Sequence, residues 1–421
     1  MPNSCSVPRV TEQLTIARLG HRGDGIADTA TGPVFVPYTL PGETVTAEPI
    51  PGHPDRRRLD RVDKPSHERA TPVCKHFTYC GGCAMQHWSL AQYHLWKRSL
   101  VVEAIAQENL IAPVGDLIDA HGQGRRRATL HARRGPKDIL EVGFTAPRAH
   151  HIVAIDRCPI LAPSLDGAIA AAWAIAEILK PTNKPLDIQI TATDSGMDVD
   201  VRGSGPVSAG RTTQLAAAAE THRLARITRH GELVAQAAQP LLRVGHAQVP
   251  LPPGAFLQAT TEGEATLARL VFDHVSSAKR VVDLFCGIGT FALRLAERAR
   301  VTAADSNAAA IKALQQAAAK TSGLKPVEAQ AHDLFRRPFM ARDFKGFDAV
   351  VFDPPRQGAE TQARELAKSN VPVVVAVSCD AATFARDARI LMGGGYRLAG
   401  VTPVDQFRHS FHVEIVAKFE K

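Results

Sequence analysis

The strongest constraint on the fold is the regular alternation of short apolar runs and helical patterns that begins near residue 263. Strands are predicted over 280–285, 300–304, 347–352 and 371–377, with helices between them and a hairpin at the end. Apolar runs of this kind indicate a parallel sheet that is covered by helices on both faces. Because ligands bind beyond the carboxyl ends of such strands, the residues that follow them are the first candidates for a site. The sequence therefore predicts an α/β, Rossmann-like domain over residues 263–421.

Two other regions precede this domain, and a chain of 421 residues is long enough for two or three domains. Residues 1–66 contain short alternating runs separated by glycines, which predicts an OB-like β-barrel. Residues 67–262 combine helical and strand patterns, so we expect a central mixed α+β domain there.

No segment of the sequence resembles a membrane anchor. The longest apolar stretch, Gly167 to Ala176, has ten residues, about half of the roughly 20 that a bilayer requires. The first thirty residues are interrupted by charges and lack the apolar core of a secretory signal. We expect a cytoplasmic monomer without a membrane partner. In that reducing compartment, the seven cysteines would serve metal binding or catalysis rather than disulfides.

The residues around the first strand end of the α/β domain predict a nucleotide-containing cofactor. Gly287, Gly289 and Ala292 fit the G-x-G-x-x-A pattern, so NAD or FAD is one candidate. Asp283 would repel a pyrophosphate but attract the ammonium and sulfonium groups of S-adenosylmethionine, which we therefore favour. Asp305 follows the next strand, where an acid can bind both hydroxyls of a ribose.

Two further acids extend this predicted site. Asp333 could bind an adenine amino group. Asp353 opens the turn Asp353-Pro354-Pro355-Arg356, and enzymes that methylate exocyclic amines often have a similar turn followed by an aromatic residue. Here Arg356 stands in that place, which weakens the amine-methylation alternative without removing it.

Cys379 and Glu414 are the candidates for covalent chemistry. Cys379 follows the fifth strand at the start of a helix, where the dipole and free amides stabilise a thiolate, although an inert buried cysteine is the alternative. Thiolate addition to C6 of a pyrimidine makes C5 nucleophilic, and a base must later remove the C5 proton. Glu414 is the candidate base, with a solvent-facing glutamate as the alternative.

Four cysteines predict a metal site in the central region. Cys74, Cys80 and Cys83 lie within ten residues, and Cys158 is a fourth candidate. Four thiolates suit a [4Fe–4S] cluster or a structural zinc, and the absence of any metal is the third alternative.

An arginine run indicates a polyanionic partner. Residues 121–134 contain five arginines and no acid, and the chain carries a net charge of +8. On strands beside a cleft, Arg125, Arg126 and Arg127 would bind the phosphates of a polyanion, whereas an ordinary solvated face is the alternative.

Together these residues resemble the RNA 5-methyluridine methyltransferase family, specifically its iron–sulfur-containing branch with an N-terminal TRAM domain that acts on 23S ribosomal RNA. The resemblance covers nearly the whole chain. It rests on these residues and segments: Gly23 to Ala27, Pro37 to Val45, Cys74, Cys80, Cys83 and Cys158 with Gln86-His87, Arg125 to Ala128, Phe256 to Gln258, Asp283 to Gly289, Asp353 to Arg356, Val377 to Cys379, and His412 to Glu414.

The resemblance implies a class I methyltransferase domain that methylates C5 of an RNA uridine, with Cys379 as the nucleophile and Glu414 as the base. It places six residues around S-adenosylmethionine: Gln258, Phe285, Thr290, Asp305, Asp333 and Asp353. It also implies that the four cysteines hold a [4Fe–4S] cluster. The RNA would be ribosomal, with transfer RNA as the alternative. Departures from the family pattern occur at Thr260, Thr290 and Asp380-Ala381.

Two readings from other classes remain open. One is a non-catalytic RNA-binding protein on a methyltransferase fold, which Asp380 and Thr260 allow. The other is a dinucleotide-dependent oxidoreductase with an iron–sulfur centre, which the glycine pattern allows.

Overall fold

The computed structural model of the chain describes residues 10–135, 138–182 and 184–421. The chain divides into two compact units. The first unit contains the described residues up to Trp96, together with Ala146–Arg148 and His409–Phe411. The second contains the described residues within Lys97–Thr145, Ala149–Arg408 and His412–Lys421.

The first unit is built on a six-stranded sheet. Its strands, numbered along the chain, are β1 (Glu12–Thr15), β2 (Arg18–Leu19), β3 (Gly25–Thr29), β4 (Gly32–Val36), β5 (Thr44–Ile50) and β6 (His53–Lys64). They pair in the order β1-β5-β6-β4-β3-β2. All pairs are antiparallel except β4 with β6. The predicted all-β character of this region is confirmed, and the closure of the sheet into an OB-like barrel stays a prediction.

A buried carboxylate joins the turn before β5 to the segment after β6. Glu43 is fully buried, and its carboxylate accepts hydrogen bonds from the Arg69 guanidinium at 2.6 and 2.8 Å and from the amides of Leu40 and Ser66. Because these donors favour the ionised form, they lower the pKa of Glu43 against the opposing effect of burial.

The second unit contains a seven-stranded sheet with helices on it. Its strands are β8 (Arg127–Arg134), β9 (Leu140–Thr145), β10 (Ile152–Ala154), β11 (Leu186–Thr193), β12 (Gly196–Arg202), β13 (Leu224–Arg229) and β14 (Glu232–Gln236). They pair in the order β10-β9-β8-β11-β12-β13-β14, and only β12 and β13 are parallel. Helices α2 (Ala168–Leu179) and α3 (Ala209–Thr221) bury alanine, leucine and isoleucine side chains in the core of this layer.

An eight-stranded sheet forms the rest of the second unit. Its strands are β7 (Ile118–Asp119), β17 (Arg280–Leu284), β18 (Arg300–Asp305), β19 (Val327–Ala331), β20 (Ala349–Phe352), β21 (Val373–Ser378), β22 (Arg397–Asp405) and β23 (Glu414–Glu420). The order is β19-β18-β17-β20-β21-β23-β22-β7. Strands β17 to β21 are parallel, and β23 is antiparallel to both of its neighbours. A two-stranded ribbon, β15 (Leu241–Val244) with β16 (Ala247–Pro250), lies outside this sheet.

Helices cover both faces of the eight-stranded sheet, as the alternating pattern predicts. They are α1 (Leu90–Gln107), α4 (Thr261–His274), α5 (Ala292–Leu295), α6 (Ala308–Lys320), α7 (Glu360–Ala367) and α8 (Ala381–Gly393). Alternate residues of β17 face opposite sides, so Val281 joins one core cluster and Val282 the other. The parallel sheet is thereby buried on both faces.

The structure differs from the sequence prediction at one helix and one strand. The helix predicted over 290–298 shortens to Ala292–Leu295, and turns continue to Arg298. Strand β19 was not predicted, because its residues Val327–Ala331 are only half-buried or exposed at the sheet edge and lack an apolar run. Within the described ranges, no helix has both the length and the apolar character needed to cross a bilayer.

Candidate active site

Strand geometry brings the predicted catalytic residues to one edge of the eight-stranded sheet. Asp353 directly follows β20, and Cys379 directly follows β21. Strand β23 runs antiparallel to β21, with Ser378 opposite Ile415. The first residue of β23, Glu414, therefore lies at the same edge as Cys379. This arrangement is how residues 35 positions apart come to share one site.

Two glutamines connect the carboxylates of Asp353 and Glu414. Gln258 Nε2 donates to Asp353 Oδ2 at 3.0 Å. Gln406 Nε2 donates to Gln258 Oε1 at 2.6 Å and to Glu414 Oε1 at 3.0 Å. Both glutamines are buried. The result is a continuous hydrogen-bonded chain, Asp353–Gln258–Gln406–Glu414, which we call the amide relay.

Both carboxylates at the ends of the amide relay resist ionisation. Burial raises the pKa of Glu414, and the nearby Asp353 carboxylate raises it further; the hydrogen bond from Gln406 and the charges of Lys97 and Arg356 oppose this. Desolvation likewise raises the pKa of Asp353. A glutamate with a raised pKa suits a base that must both accept and release a proton near neutrality.

Cys379 is half-buried beside these acids. Burial raises the pKa of its thiol to about 12, with Glu414 and Asp353 contributing in the same direction and Arg356 opposing them. Asp380 caps helix α8, because its Oδ1 accepts hydrogen bonds from the amides of Ala382 and Thr383 at 3.1 and 3.0 Å. The aspartate that departs from the family pattern thus performs the capping role that an asparagine performs equally well.

A second group of acids lies around the loop after β17. Asp283 is fully buried, and neither of its carboxylate oxygens has a hydrogen-bond partner within the described residues. Burial raises the pKa of Asp283 well above its usual range and the Asp353 and Asp305 carboxylates add to this, whereas the nearby Ala292 amide opposes it. Such a group is stabilised by a cationic ligand, which supplies the missing counter-charge.

The backbone of this loop is open to a ligand. Gly287 has φ +55°, and nothing lies within 4 Å of the position where a Cβ would project. Its amide donates to Asp305 Oδ2 at 3.0 Å, while the Asn307 amide binds Oδ1 at 2.7 Å. This ties the end of β18 to the loop. Thr290, at the end of the loop, is half-buried.

An aromatic pair stands beside the same loop. Phe285 adopts φ +61°, a left-handed conformation that is uncommon for a bulky residue. Its ring centroid lies 5.3 Å from that of Phe335, and both residues line a pocket of about 190 Å³. Asp333 stabilises the turn that it begins, because its Oδ1 accepts hydrogen bonds from the amides of Phe335 and Arg336, both at 3.1 Å.

Buried ion pairs hold the segment that carries Gln258. The Arg126 side chain is buried and donates to the Gln258 carbonyl at 3.1 Å and to Glu264 Oε2 at 2.5 Å. Arg294 binds the other oxygen of Glu264 at 2.9 Å. Thr260 caps α4 by accepting a hydrogen bond from the Gly263 amide at 2.8 Å. Gln258 is thereby fixed between strongly anchored neighbours.

Comparison with known proteins identifies the family. The profile described as "Methyltransferase small domain" matches residues 252–371. An "uncharacterized RNA methyltransferase" of Rhizobium meliloti is 46% identical over 417 residues, which cover 98% of this chain and 100% of that protein. The chain belongs to the RNA methyltransferases.

One further relative and one solved structure are similar to this RNA methyltransferase over most of its length. A 23S rRNA (uracil(1939)-C(5))-methyltransferase of Chromohalobacter salexigens is 33% identical over 422 residues, covering 95% of this chain and 87% of that protein. The solved structure of Pyrococcus abyssi tRNA (uracil-54, C5)-methyltransferase in complex with S-adenosyl-L-homocysteine has a TM-score of 0.75 at 23% identity, covering 97% of this chain and 99% of that chain. The predicted class I methyltransferase fold is confirmed by this likeness.

The predicted RNA-binding arginines of this RNA methyltransferase differ in environment. Arg126 is buried in the ion pair with Glu264, so its side chain anchors the site. Arg125 and Arg127 are half-buried, lying 5.5 Å from the Phe407 ring and 6.0 Å from the Phe256 ring, respectively. A phosphate-binding role stays a prediction for Arg125 and Arg127 and is not offered by the paired guanidinium of Arg126.

The predicted metal ligands belong to different units. Cys74, Cys80 and Cys83 lie in the first unit, and Cys158 lies in the second. In the described part of the chain, no three His, Cys, Asp or Glu side chains are grouped as a metal site requires. The iron–sulfur prediction therefore rests on the spacing of the cysteines and on the family resemblance alone.

Sequence reasoning did not single out Gln406 or Lys97 of this RNA methyltransferase. Gln406 is fully buried at the centre of the amide relay. Lys97 is fully buried and pairs with Asp405. The only sequence feature that could have pointed to Gln406 is its position eight residues before the predicted base Glu414. Lys97 lies in an ordinary helical pattern that does not indicate its burial.

Proposed function

We propose that this RNA methyltransferase uses S-adenosylmethionine to methylate C5 of a uridine in ribosomal RNA through a covalent adduct with Cys379. The observation that carries the proposal is the meeting of Cys379 with the buried base Glu414 at one sheet edge. The name of the Chromohalobacter relative supports uracil C5 as the target and ribosomal RNA as the substrate.

The unpartnered Asp283 carboxylate supports the choice of methyl donor. S-adenosylmethionine, when bound, supplies an electrophilic methyl group and carries two positive charges. Asp283 and Asp305 would hold it at the open backbone of Gly287, with Phe285, Thr290, Asp333, Gln258 and Asp353 as the remaining proposed contacts. A dinucleotide would bring a pyrophosphate toward these acids, which disfavours the oxidoreductase alternative.

The covalent step begins at Cys379. Its sulfur adds to C6 of the uracil, so an S–C6 bond forms and the C5–C6 π electrons move to C5 and O4. The thiol must first lose its proton to the solvent that reaches this half-buried side chain, and the positive charge of Arg356 favours the thiolate that results. The carbon C5 then carries the electron pair that would form the new bond to the methyl group, while the methyl–sulfonium bond of the donor breaks and its electrons stay on the donor sulfur.

Glu414 completes the reaction. Its buried Oε2 has no hydrogen-bond partner within the described residues and is the oxygen that would accept the C5 proton. The C5–H electron pair then re-forms the C5=C6 double bond, and the S–C6 bond breaks with the sulfur leaving as a thiolate. A non-catalytic RNA-binding protein would have no use for a buried acid beside a cysteine.

Methyl transfer to defined RNA tests the proposal. The full chain would be incubated with S-adenosylmethionine and either deproteinised ribosomal RNA or transfer RNA, each lacking 5-methyluridine, and the nucleosides analysed by mass spectrometry. We expect 5-methyluridine in ribosomal RNA. The same product in transfer RNA only would overturn the ribosomal assignment, and a methylated amine or no product would overturn C5 methylation itself.

We also propose that the chain carries a TRAM-type barrel over residues 1–66, a central domain over 67–262 and the methyltransferase domain over 263–421. The limits of the six-, seven- and eight-stranded sheets support this division, apart from β7, which pairs with β22. The two compact units instead divide the chain between Trp96 and Lys97 and leave most of the last two domains in one unit. A [4Fe–4S] cluster on Cys74, Cys80, Cys83 and Cys158 is part of the proposal on the strength of their spacing. No step of the reaction depends on it.

A further inference from the structure

Gln406 occupies a position that the reaction steps above leave without a role. It is fully buried, yet its side-chain amide makes three hydrogen bonds. Its Oε1 accepts from the Ala259 amide at 2.8 Å, and its Nε2 serves both Gln258 and Glu414. A buried amide that directs two of its three hydrogen bonds at side chains of the site is more than a packing residue.

The direction of these hydrogen bonds is fixed by one backbone group. The Ala259 N–H can only donate, so the oxygen of the Gln406 amide must face it. The nitrogen of that amide is then forced toward Gln258 Oε1 and Glu414 Oε1. Gln258 in turn must present its own nitrogen to Asp353. Within the amide relay, the Asp353 and Glu414 carboxylates each therefore accept a hydrogen bond from a glutamine nitrogen.

We propose that Gln406 is a positioning residue that orients the Glu414 carboxylate for proton abstraction and couples it to the Gln258–Asp353 pair. This inference rests on the proposed function, in which Glu414 removes the C5 proton. Gln406 holds Oε1 of the carboxylate, while the buried Oε2 has no hydrogen-bond partner among the described residues. The proton from C5 goes to Oε2, and the C–H electron pair goes into the C5=C6 bond as Cys379 leaves.

The fold makes room for Gln406 in a specific way. A Cβ on Gly263, in the first turn of α4, would lie 2.6 Å from Gln406 Oε1 and 2.7 Å from Gln406 Cβ. Only glycine permits this close approach. The capping residue Thr260 and the buried Arg126–Glu264 pair then hold the Gln258–Ala259 segment against Gln406.

The charged surroundings of Glu414 define what removing Gln406 would do. Asp353, after β20, raises the pKa of Glu414, whereas Lys97 on α1 and Arg356 in the loop after β20 lower it, as does the Gln406 hydrogen bond. The Cys379 thiol, after β21, is a further titratable neighbour. Loss of the donated hydrogen bond destabilises the carboxylate, so the pKa of Glu414 must rise. The base form then becomes scarcer at any given acidic or neutral pH.

Single-turnover kinetics of Gln406→Met test the inference, since methionine matches glutamine in length but donates no hydrogen bond. Methyl transfer to RNA would be followed by rapid quench, and the covalent protein–RNA adduct by denaturing gels from pH 6 to 9. We expect unchanged RNA affinity and near-normal methyl transfer. Adduct resolution should slow by about tenfold. In the plot of its rate against pH, the fall on the acidic side should shift up by about one pH unit.

Two more variants complete the design. Gln406→Glu keeps the size but places a second acid against Glu414, so its resolution step should slow further; it also serves if the methionine variant fails to fold. Gln315→Met is the matched control, because it removes one glutamine amide that bonds only the Ala329 carbonyl at an exposed site. This control should behave as wild type.

The outcomes separate this inference from the proposed function. If wild type forms no adduct and no 5-methyluridine, the proposed function fails. If wild type turns over normally and both Gln406 variants resolve the adduct at the wild-type rate with the same pH profile, the positioning role is overturned while the function stands. A uniform loss of RNA binding and methyl transfer, with no shift of the fall on the acidic side, would likewise overturn it in favour of a structural role.

Discussion

Lys97 on α1 donates a hydrogen bond to Asp405 at the end of β22, with Nζ 2.5 Å from Oδ1 and both side chains fully buried. The two residues are 308 positions apart. Asp405 Oδ1 also accepts from the Phe407 amide at 2.8 Å. Burial lowers the pKa of Lys97 to about 8, although Asp405 favours its charged form. This pair fastens the helix to the strand that leads into the Gln406 segment.

Lys97→Met should destabilise the protein strongly. The change leaves Asp405 buried without its cation, and breaking a buried ion pair in this way costs about 3–5 kcal/mol. Urea unfolding of the full chain would measure the loss. Arg269→Met is the control, because Arg269 pairs with Asp273 at the surface of α4 and should cost less than about 1 kcal/mol. Equal stability of the two variants would contradict the buried-pair account.

Cys379→Ala should abolish both methyl transfer and adduct formation while S-adenosylmethionine and RNA still bind, because C5 cannot be activated without the thiolate. A 5-fluorouridine RNA should trap the wild type, since fluorine cannot leave as a cation, and should not trap the variant. Denaturing gels with labelled RNA provide the measurement. Normal turnover by Cys379→Ala would refute the covalent mechanism.

Glu414→Gln should transfer one methyl group and then stall as a covalent protein–RNA adduct, because elimination requires removal of the C5 proton. Since burial raises the pKa of Glu414, wild-type adduct resolution should slow as the pH falls through that raised value and the carboxylate becomes protonated. Glu420→Gln, at the far end of the same strand, is the control. Turnover by Glu414→Gln without adduct would remove the glutamate from the mechanism.

Replacing Arg125 and Arg127 together with glutamine should weaken RNA binding and flatten its salt dependence. The loss of two phosphate contacts should reduce the slope of log affinity against log salt by about 1.4. Fluorescence anisotropy at several salt concentrations provides the measurement. Arg243→Gln, on the exposed side of β15, is the control. An unchanged slope in the double variant would return these arginines to an ordinary surface role.

Protein purified without oxygen should be brown and contain about four iron and four sulfide ions per chain, as a [4Fe–4S] cluster requires. Cys83→Ser should lose the visible absorbance, whereas Cys286→Ser, at a cysteine outside the predicted set, should keep it. Metal analysis and absorbance spectra decide the matter. One zinc per chain with no visible absorbance would replace the cluster by the zinc alternative.

The sequence alone determined the local elements and the chemistry at their ends. Alternating apolar runs predicted β17, β18, β20 and β21, because a strand that is buried on both faces is a run of apolar residues and can be recognised within a few positions. The acids that end these strands, and Cys379, could be named for the same reason. The edge strand β19 escaped this reasoning because a half-exposed strand contains no such run.

Only the tertiary structure decided which distant residues meet and which are buried. Antiparallel pairing of β23 with β21 buries Glu414 beside Cys379, where the pattern alone allowed a solvent-facing side chain. Gln258 and Gln406 are hydrogen-bonded although they are 148 residues apart in the sequence. Arg126 is buried against Glu264, although nothing in the surrounding arginine run distinguishes it from Arg125 and Arg127. Hydrogen bonds and ion pairs between such segments depend on the packing of whole sheets and helices. Local periodicity shows which side of a helix or strand is apolar. It contains no information about which polar side chain of another segment will bind to a residue on that element.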